Sequence, residues 1–119
     1  MKNDKPKVLI TGGCGFLGIN CALKFLANDW QVTALDNLHR RGVESNILTH
    51  PTYKFIHGDV RNYSDIKEVG KPDVILHLAA NPGIPWSIKN PRYDFEVNAG
   101  GTINILEYAR IHRAKVIFA

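Results

Sequence analysis

The chain has little of what several common chemistries need. Cysteine occurs twice, at Cys14 and Cys21. On a turn and the helix pattern after it, they would lie about 10 Å apart over two helical turns, too far for a disulfide. No C-x-x-C pair and no Cys/His cluster with metal-ligand spacing occurs, and the five histidines are scattered, so no metal is expected. No apolar run approaches the roughly 20 residues of a membrane-spanning helix. The polar start Met1–Lys7 has no apolar signal-peptide core, so a cytoplasmic protein without a membrane partner is expected. Repeats, low-complexity tracts and linkers are missing as well. The net charge is +4, and the basic residues fall in small groups: Lys2, Lys5 and Lys7; His39, Arg40 and Arg41; Arg110, His112, Arg113 and Lys115. Aromatic residues do not interleave with them as a single-strand nucleic-acid platform requires. They read as solvated surface with some capacity to hold phosphates, and no nucleic-acid partner is expected.

What is present is one domain's worth of chain, residues 1–119, at 45% hydrophobic and 22% charged. Its most informative stretch is Val8-Leu9-Ile10-Thr11-Gly12-Gly13-Cys14-Gly15-Phe16-Leu17-Gly18. An apolar run meets four glycines, and a helical pattern follows at once. Such a turn brings backbone close to a pyrophosphate and offers it the unpaired N–H groups of a helix N-terminus. Three features around G-x-G-x-x-G (Gly13 to Gly18) strengthen it. A strand Lys7–Ile10 precedes it. Ile19, Ala22, Leu23 and Leu26 then recur at helical spacing. A second strand, Gln31–Leu35, ends at Asp36, eighteen residues beyond Gly18. A carboxylate there accepts hydrogen bonds from ribose hydroxyls and repels a 2′-phosphate, which favours NAD over NADP.

Strands are expected near 7–11, 31–36, 53–57, 73–78 and 114–118. Helices are expected near 16–28, 62–69 and 92–111, with a helical turn near 43–49. Asn62 or Ser64 is a candidate cap, and Pro91 suits a first helical turn. Alternating strands and helices imply α/β architecture. Right-handed crossovers order the sheet 3-2-1-4-5. This is a Rossmann-type doubly wound parallel sheet in three αβα layers, incomplete on its C-terminal side. Gly12–Gly18, Asp36, Asp59 and Leu78–Asn81 then converge at the carboxyl ends of the strands, around the switch point between strands one and four.

The chain resembles the N-terminal part of extended short-chain dehydrogenases/reductases, the NAD-dependent epimerase/dehydratase family. The resemblance rests on Thr11–Gly18, Asp36-Asn37-Leu38, His57-Gly58-Asp59-Val60-Arg61, Leu76-His77-Leu78-Ala79-Ala80 and Asn98-Ala99-Gly100-Gly101-Thr102-Ile103-Asn104-Ile105-Leu106-Glu107. Within that family, Asp36–Gly42, Ser87–Pro91 and Asp94–Asn98 look most similar to CDP-tyvelose (CDP-paratose) 2-epimerases. UDP-glucose 4-epimerases and sugar dehydratases share most of the blocks. The resemblance implies that Gly12, Gly15, Phe16, Leu17 and Gly18 line the pyrophosphate of NAD. It implies that Asp36 holds the adenosine ribose, with Asn37 and Arg40 nearby, and that Asp59 and Val60 meet adenine. Leu78, Ala79 and Ala80 would pass under the other ribose, Asn98 would support the site beside the cofactor, and Ser87, in the loop after strand four, would lie near a nucleotide-sugar substrate.

The family's chemistry also calls for a Tyr-x-x-x-Lys pair after the fifth strand. Only Tyr63 and Lys67 have the spacing. They come too early in the chain and read as an ordinary i, i+4 helical pair. No catalytic residue is therefore expected here, and the chain reads as the first part of a larger enzyme, inactive alone, without its substrate domain. Strand five would leave an unpaired sheet edge. The helix near 92–111 carries Phe95, Ile103, Leu106 and Ala109, and the resemblance implies homodimer formation or self-association through it. A non-catalytic dinucleotide-binding module is the alternative from another class.

Overall fold

A computed structural model of the chain describes residues 5–81 and 83–119. Lys2 and the start of the polar N-terminal stretch lie outside the described residues. Five strands, β1 (Lys7–Thr11), β2 (Gln31–Asp36), β3 (Tyr53–His57), β4 (Val74–His77) and β5 (Lys115–Phe118), form one sheet in the order β3-β2-β1-β4-β5. Every pairing is parallel. The strand order and the α/β class are those expected.

β1 is central, and its alternation assigns the two faces of the sheet. Val8 and Ile10 point into one core cluster with Val32, Leu76 and Ala22, the last on helix α1 (Phe16–Ala27). Leu9 points the other way, into a cluster with Leu35, Ile75, Ile66, Ile105 and Tyr108. Ile66 comes from the short helix α2 (Tyr63–Ile66), which runs on into a 3-10 turn over Lys67–Val69. Burying each large aliphatic side chain here contributes about 1.5–3 kcal/mol over leaving it exposed. Leu23, expected on the inner face of α1, is half exposed, because Ala22 and its neighbours already fill the space against β1.

Register brings the strand ends level. Thr11 is opposite both Leu35 and His77, and Asp36 is opposite His57. The carboxyl ends therefore meet at one rim, where loops carry polar side chains.

The segment after β4 departs from expectation. Instead of a loop, Ile84–Lys89 forms helix α3, and Ser87 stands on it. Pro85 occupies the first turn, where its missing N–H is not needed. The continuous helix expected over 92–111 is three pieces: α4 (Pro91–Phe95), a π-helical turn (Glu96–Gly100) and α5 (Gly101–His112). The π-helical turn ends at the pair Gly100–Gly101, where Gly101 presses on Val60 so closely that a Cβ would come 2.5 Å from its Cγ2. As expected, Pro91 opens a helix, but Asn90 caps it, its side chain accepting the Tyr93 N–H. Asn62 precedes α2 without a side-chain cap bond, so neither expected cap operates there. Cys14 and Cys21 are free thiols.

Candidate functional site

The glycine turn after β1 is held by backbone bonds from Gly12 and Gly13 N–H to the Leu35 carbonyl, at 2.8 and 3.3 Å. Gly12 has φ +65°, and a Cβ there would sit 3.0 Å from the Ala79 backbone. A methyl group on Gly18 would run into the Gly12 carbonyl oxygen. The turn thus packs directly on both the first helical turn and the segment after β4. No side chain caps α1, which begins after Gly15. Its first N–H groups are left for another acceptor, and Phe16 and Leu17 of that turn line the cleft.

Asp36 ends β2 beside this turn. One carboxylate oxygen accepts the Cys14 N–H at 3.0 Å, and the other accepts the Leu38 N–H at 2.9 Å. Burial first, and then this carboxylate, push the Cys14 thiol up to about 11, so it stays neutral and inert. Asn37 donates to Asp59 at 3.1 Å and accepts the His39 N–H at 2.9 Å. Arg61 meets Asp59 through both Nε (3.0 Å) and Nη2 (2.8 Å). Partial burial works against the Asp59 carboxylate, but the Arg61 and Asn37 hydrogen bonds outweigh it and hold the group down at about 2.

A buried network supports the segment after β4. Thr11 Oγ1 accepts N–H groups from Leu78 and Ala79, both at 3.0 Å. Its single hydrogen is then free only for His77 Nδ1, 2.7 Å away. The proton of the imidazole must therefore sit on Nε2, which donates to Thr102 Oγ1 at 2.9 Å. Thr102 donates in turn to the Asn98 carbonyl at 2.6 Å. The Asn98 side chain accepts the Asn81 N–H at 2.8 Å. Leu78–Asn81 is thus pinned from both ends. Desolvation lowers the pKa of His77, which favours the neutral ring this pattern requires.

These parts surround one cleft of about 360 Å³ at the β1/β4 switch point. Gly12, Gly15, Phe16, Leu17, Gly18, Asp36, Asn37, Arg40, Asp59, Val60, Leu78, Ala79 and Ala80 all line it. Asn98 is not in its wall and acts behind it, through Asn81. Ser87 also lies off the wall, its Oγ donating to the Ile84 carbonyl at 2.7 Å. Tyr63 is packed against the core and does not reach the cleft. His39, Val43 and Tyr93 line the cleft without having been singled out for it from the sequence. No local pattern marks Tyr93, which is brought in by the direction of α4.

A family model of NAD dependent epimerases/dehydratases matches residues 8–119, nearly the whole chain. The chain belongs to this family. Among curated relatives of the epimerase/dehydratase family, the CDP-paratose 2-epimerase of Salmonella typhi is 43% identical over 110 residues, covering 87% of this chain and 32% of that protein. An epimerase structure from Methanothermobacter thermautotrophicus is 33% identical with TM-score 0.91, covering 97% of this chain and 35% of that one. The Thermus thermophilus UDP-glucose 4-epimerase, solved in complex with NAD, is 33% identical with TM-score 0.81, covering 94% of this chain and 36% of that one. The chain thus spans about a third of the length of these relatives.

Proposed function

We propose that residues 1–119 are the NAD-binding portion of a nucleotide-sugar epimerase. The observation that carries this reading is the placement of a glycine turn, an uncapped helix start and Asp36 around one cleft at the switch point. The cradle fits a dinucleotide, since any Cβ at Gly12 or Gly18 would fill the space where backbone must approach. Gly12, Gly15, Phe16, Leu17 and Gly18 hold the pyrophosphate. Asp36 accepts from the adenosine ribose and disfavours a 2′-phosphate, with Asn37 and Arg40 beside it. Asp59 and Val60 flank adenine. Leu78, Ala79 and Ala80 carry the second ribose, and Asn98 keeps that floor in place through Asn81. Ser87 lies toward the sugar nucleotide, its hydroxyl exchanging the Ile84 carbonyl for substrate.

The chemistry that NAD would supply when bound is removal of a hydride from a sugar carbon and its return to the opposite face, which inverts that carbon. The residues named here bind and orient, and none of them moves the substrate proton. The 43% identity to a CDP-paratose 2-epimerase supports a CDP-sugar of that type as substrate of the whole enzyme. Exposed Phe95, Ile103 and Leu106 support association of two copies through this stretch.

The test is calorimetric titration of the chain with NAD+, beside an Asp36→Ala variant. Charged acceptors contribute about 1.5–3 kcal/mol per bond, so the variant should bind about tenfold to a hundredfold more weakly. Equal affinity of the two chains would remove Asp36 from the site. Absence of binding by either folded chain would overturn cofactor binding by this portion alone.

A further inference from the structure

Tyr93 is an aromatic ring of the cleft wall whose two ring-face neighbours come from two other segments of the chain. It sits on α4, after β4, with its backbone fixed by the Asn90 cap. The guanidinium of Arg61, from the segment after β3, lies 4.8 Å from its ring centroid. The imidazole of His39, from the loop after β2, lies 5.3 Å away at an interplanar angle of 37°. Arg61 is immobilised by its two bonds to Asp59 and reaches Glu96 of the π-helical turn at 3.8 Å. A rigid cation therefore seats the ring, and the ring in turn seats His39. His39 and Arg40 are the first basic residues after Asp36, and both line the cleft.

We infer that Tyr93 is a positioning residue for the adenosine half of the dinucleotide and, through His39, a determinant of NAD over NADP. The inference rests on the reading of the cleft given above. With His39 held on the ring, its imidazole is kept off the ribose 2′ position, where the Asp36 carboxylate dominates with Arg40 beside it. Without the ring, His39 is free to turn toward a 2′-phosphate and, with Arg40, to offset the repulsion from Asp36. The adenosine end of the cleft also loses a wall, while the pyrophosphate turn and the Leu78–Ala80 floor are untouched.

The experiment is titration of the chain with NAD+, NADP+, adenosine monophosphate and nicotinamide mononucleotide, in the unsubstituted protein and in Tyr93→Leu, Tyr93→Phe and His39→Ala. Aromatic and cation–π contacts of this kind predict about a threefold to tenfold loss of NAD+ and adenosine monophosphate affinity in Tyr93→Leu. NADP+ loses less, so the NAD+ to NADP+ ratio narrows, and nicotinamide mononucleotide is unchanged. Tyr93→Phe keeps the unsubstituted ratio, because the ring and not the hydroxyl makes both contacts. His39→Ala keeps the unsubstituted ratio, because the group that would turn is gone, and its addition to Tyr93→Leu abolishes the narrowing. Tyr93→Met gives the same narrowing and replaces Tyr93→Leu should the latter fail to fold. An unchanged ratio in the folded variant that lacks the ring, or a narrowing that persists when His39→Ala is added, overturns the inference, as does an equal loss of all four ligands. Failure of the unsubstituted chain to bind NAD+ or adenosine monophosphate overturns the reading of the cleft itself. Binding with silent variants overturns only the role of Tyr93.

Discussion

Gly18 shows how tightly single residues are constrained here. Its absent Cβ leaves room for the Gly12 carbonyl, so Gly18→Ala must move the turn or the helix. A loss of about 1–3 kcal/mol is expected from such overpacking, read as a lower urea midpoint together with weaker NAD+ binding. His77 gives a pH dependence. Its folded pKa is lowered by burial, while the unfolded value is about 6.5. Below that pH the unfolded chain takes up a proton that the folded chain resists, so stability falls as pH drops beneath about 6.5. Urea midpoints from pH 8 to pH 5 should show this slope, and a His77→Asn variant should lose it. Asp59 acts in a separate window. With its folded pKa down at about 2, its contribution is complete above the unfolded value of about 3.9 and is lost as pH falls through the folded one. Asp59→Asn should flatten the acid limb of the same measurement between those two values.

At the scale of elements, the π-helical turn between α4 and α5 joins the helices to the sheet rim. Thr102, at the start of α5, accepts a hydrogen bond from His77 Nε2–H and donates its own hydroxyl to the Asn98 carbonyl. Thr102→Val would leave the His77 Nε2–H buried without an acceptor, costing about 1–3 kcal/mol. The urea midpoint should fall accordingly, and an unchanged midpoint would show that the network does not hold the floor. The amphipathic pattern over 92–111 gives no hint of this break, because widening by one residue leaves both halves helical. The helix α3 was equally hidden: Ile84-Pro85-Trp86-Ser87-Ile88-Lys89 leaves Ile84, Trp86 and Ile88 exposed, so no buried stripe reports it.

For the whole molecule, the two core clusters lie on opposite faces of the sheet, one covered by α2 and α5 and the other by α1. Ile103 and Leu106 remain on the outside of α5, the former 65% exposed, while Ala109 turns inward to the core. Residues three apart share a helix face, so these two form an apolar edge. Association through it should appear as a concentration-dependent elution volume in size-exclusion chromatography. Ile103→Glu should shift the chain toward the monomer, and an elution volume independent of concentration would count against association. Among the described residues no helix is long and apolar enough to cross a membrane.

Taken alone, the sequence determined the strands, their order and most of the cleft. Short apolar runs and a glycine turn are local signals, and right-handed crossovers leave one arrangement for them. Asp36 and Asp59 were legible for the same reason, since residues at strand ends are carried to the rim by the sheet itself. Only the tertiary structure decided what touches what across that rim. The proton order through Thr11, His77, Thr102 and Asn98 depends on register between β1 and β4 and on the rotation of α5. Tyr93 reaches His39 and Arg61 because α4 is short and set by its cap, which no spacing in the sequence encodes. Contacts between residues far apart in the chain arise from packing, and packing is settled only when every element is in place.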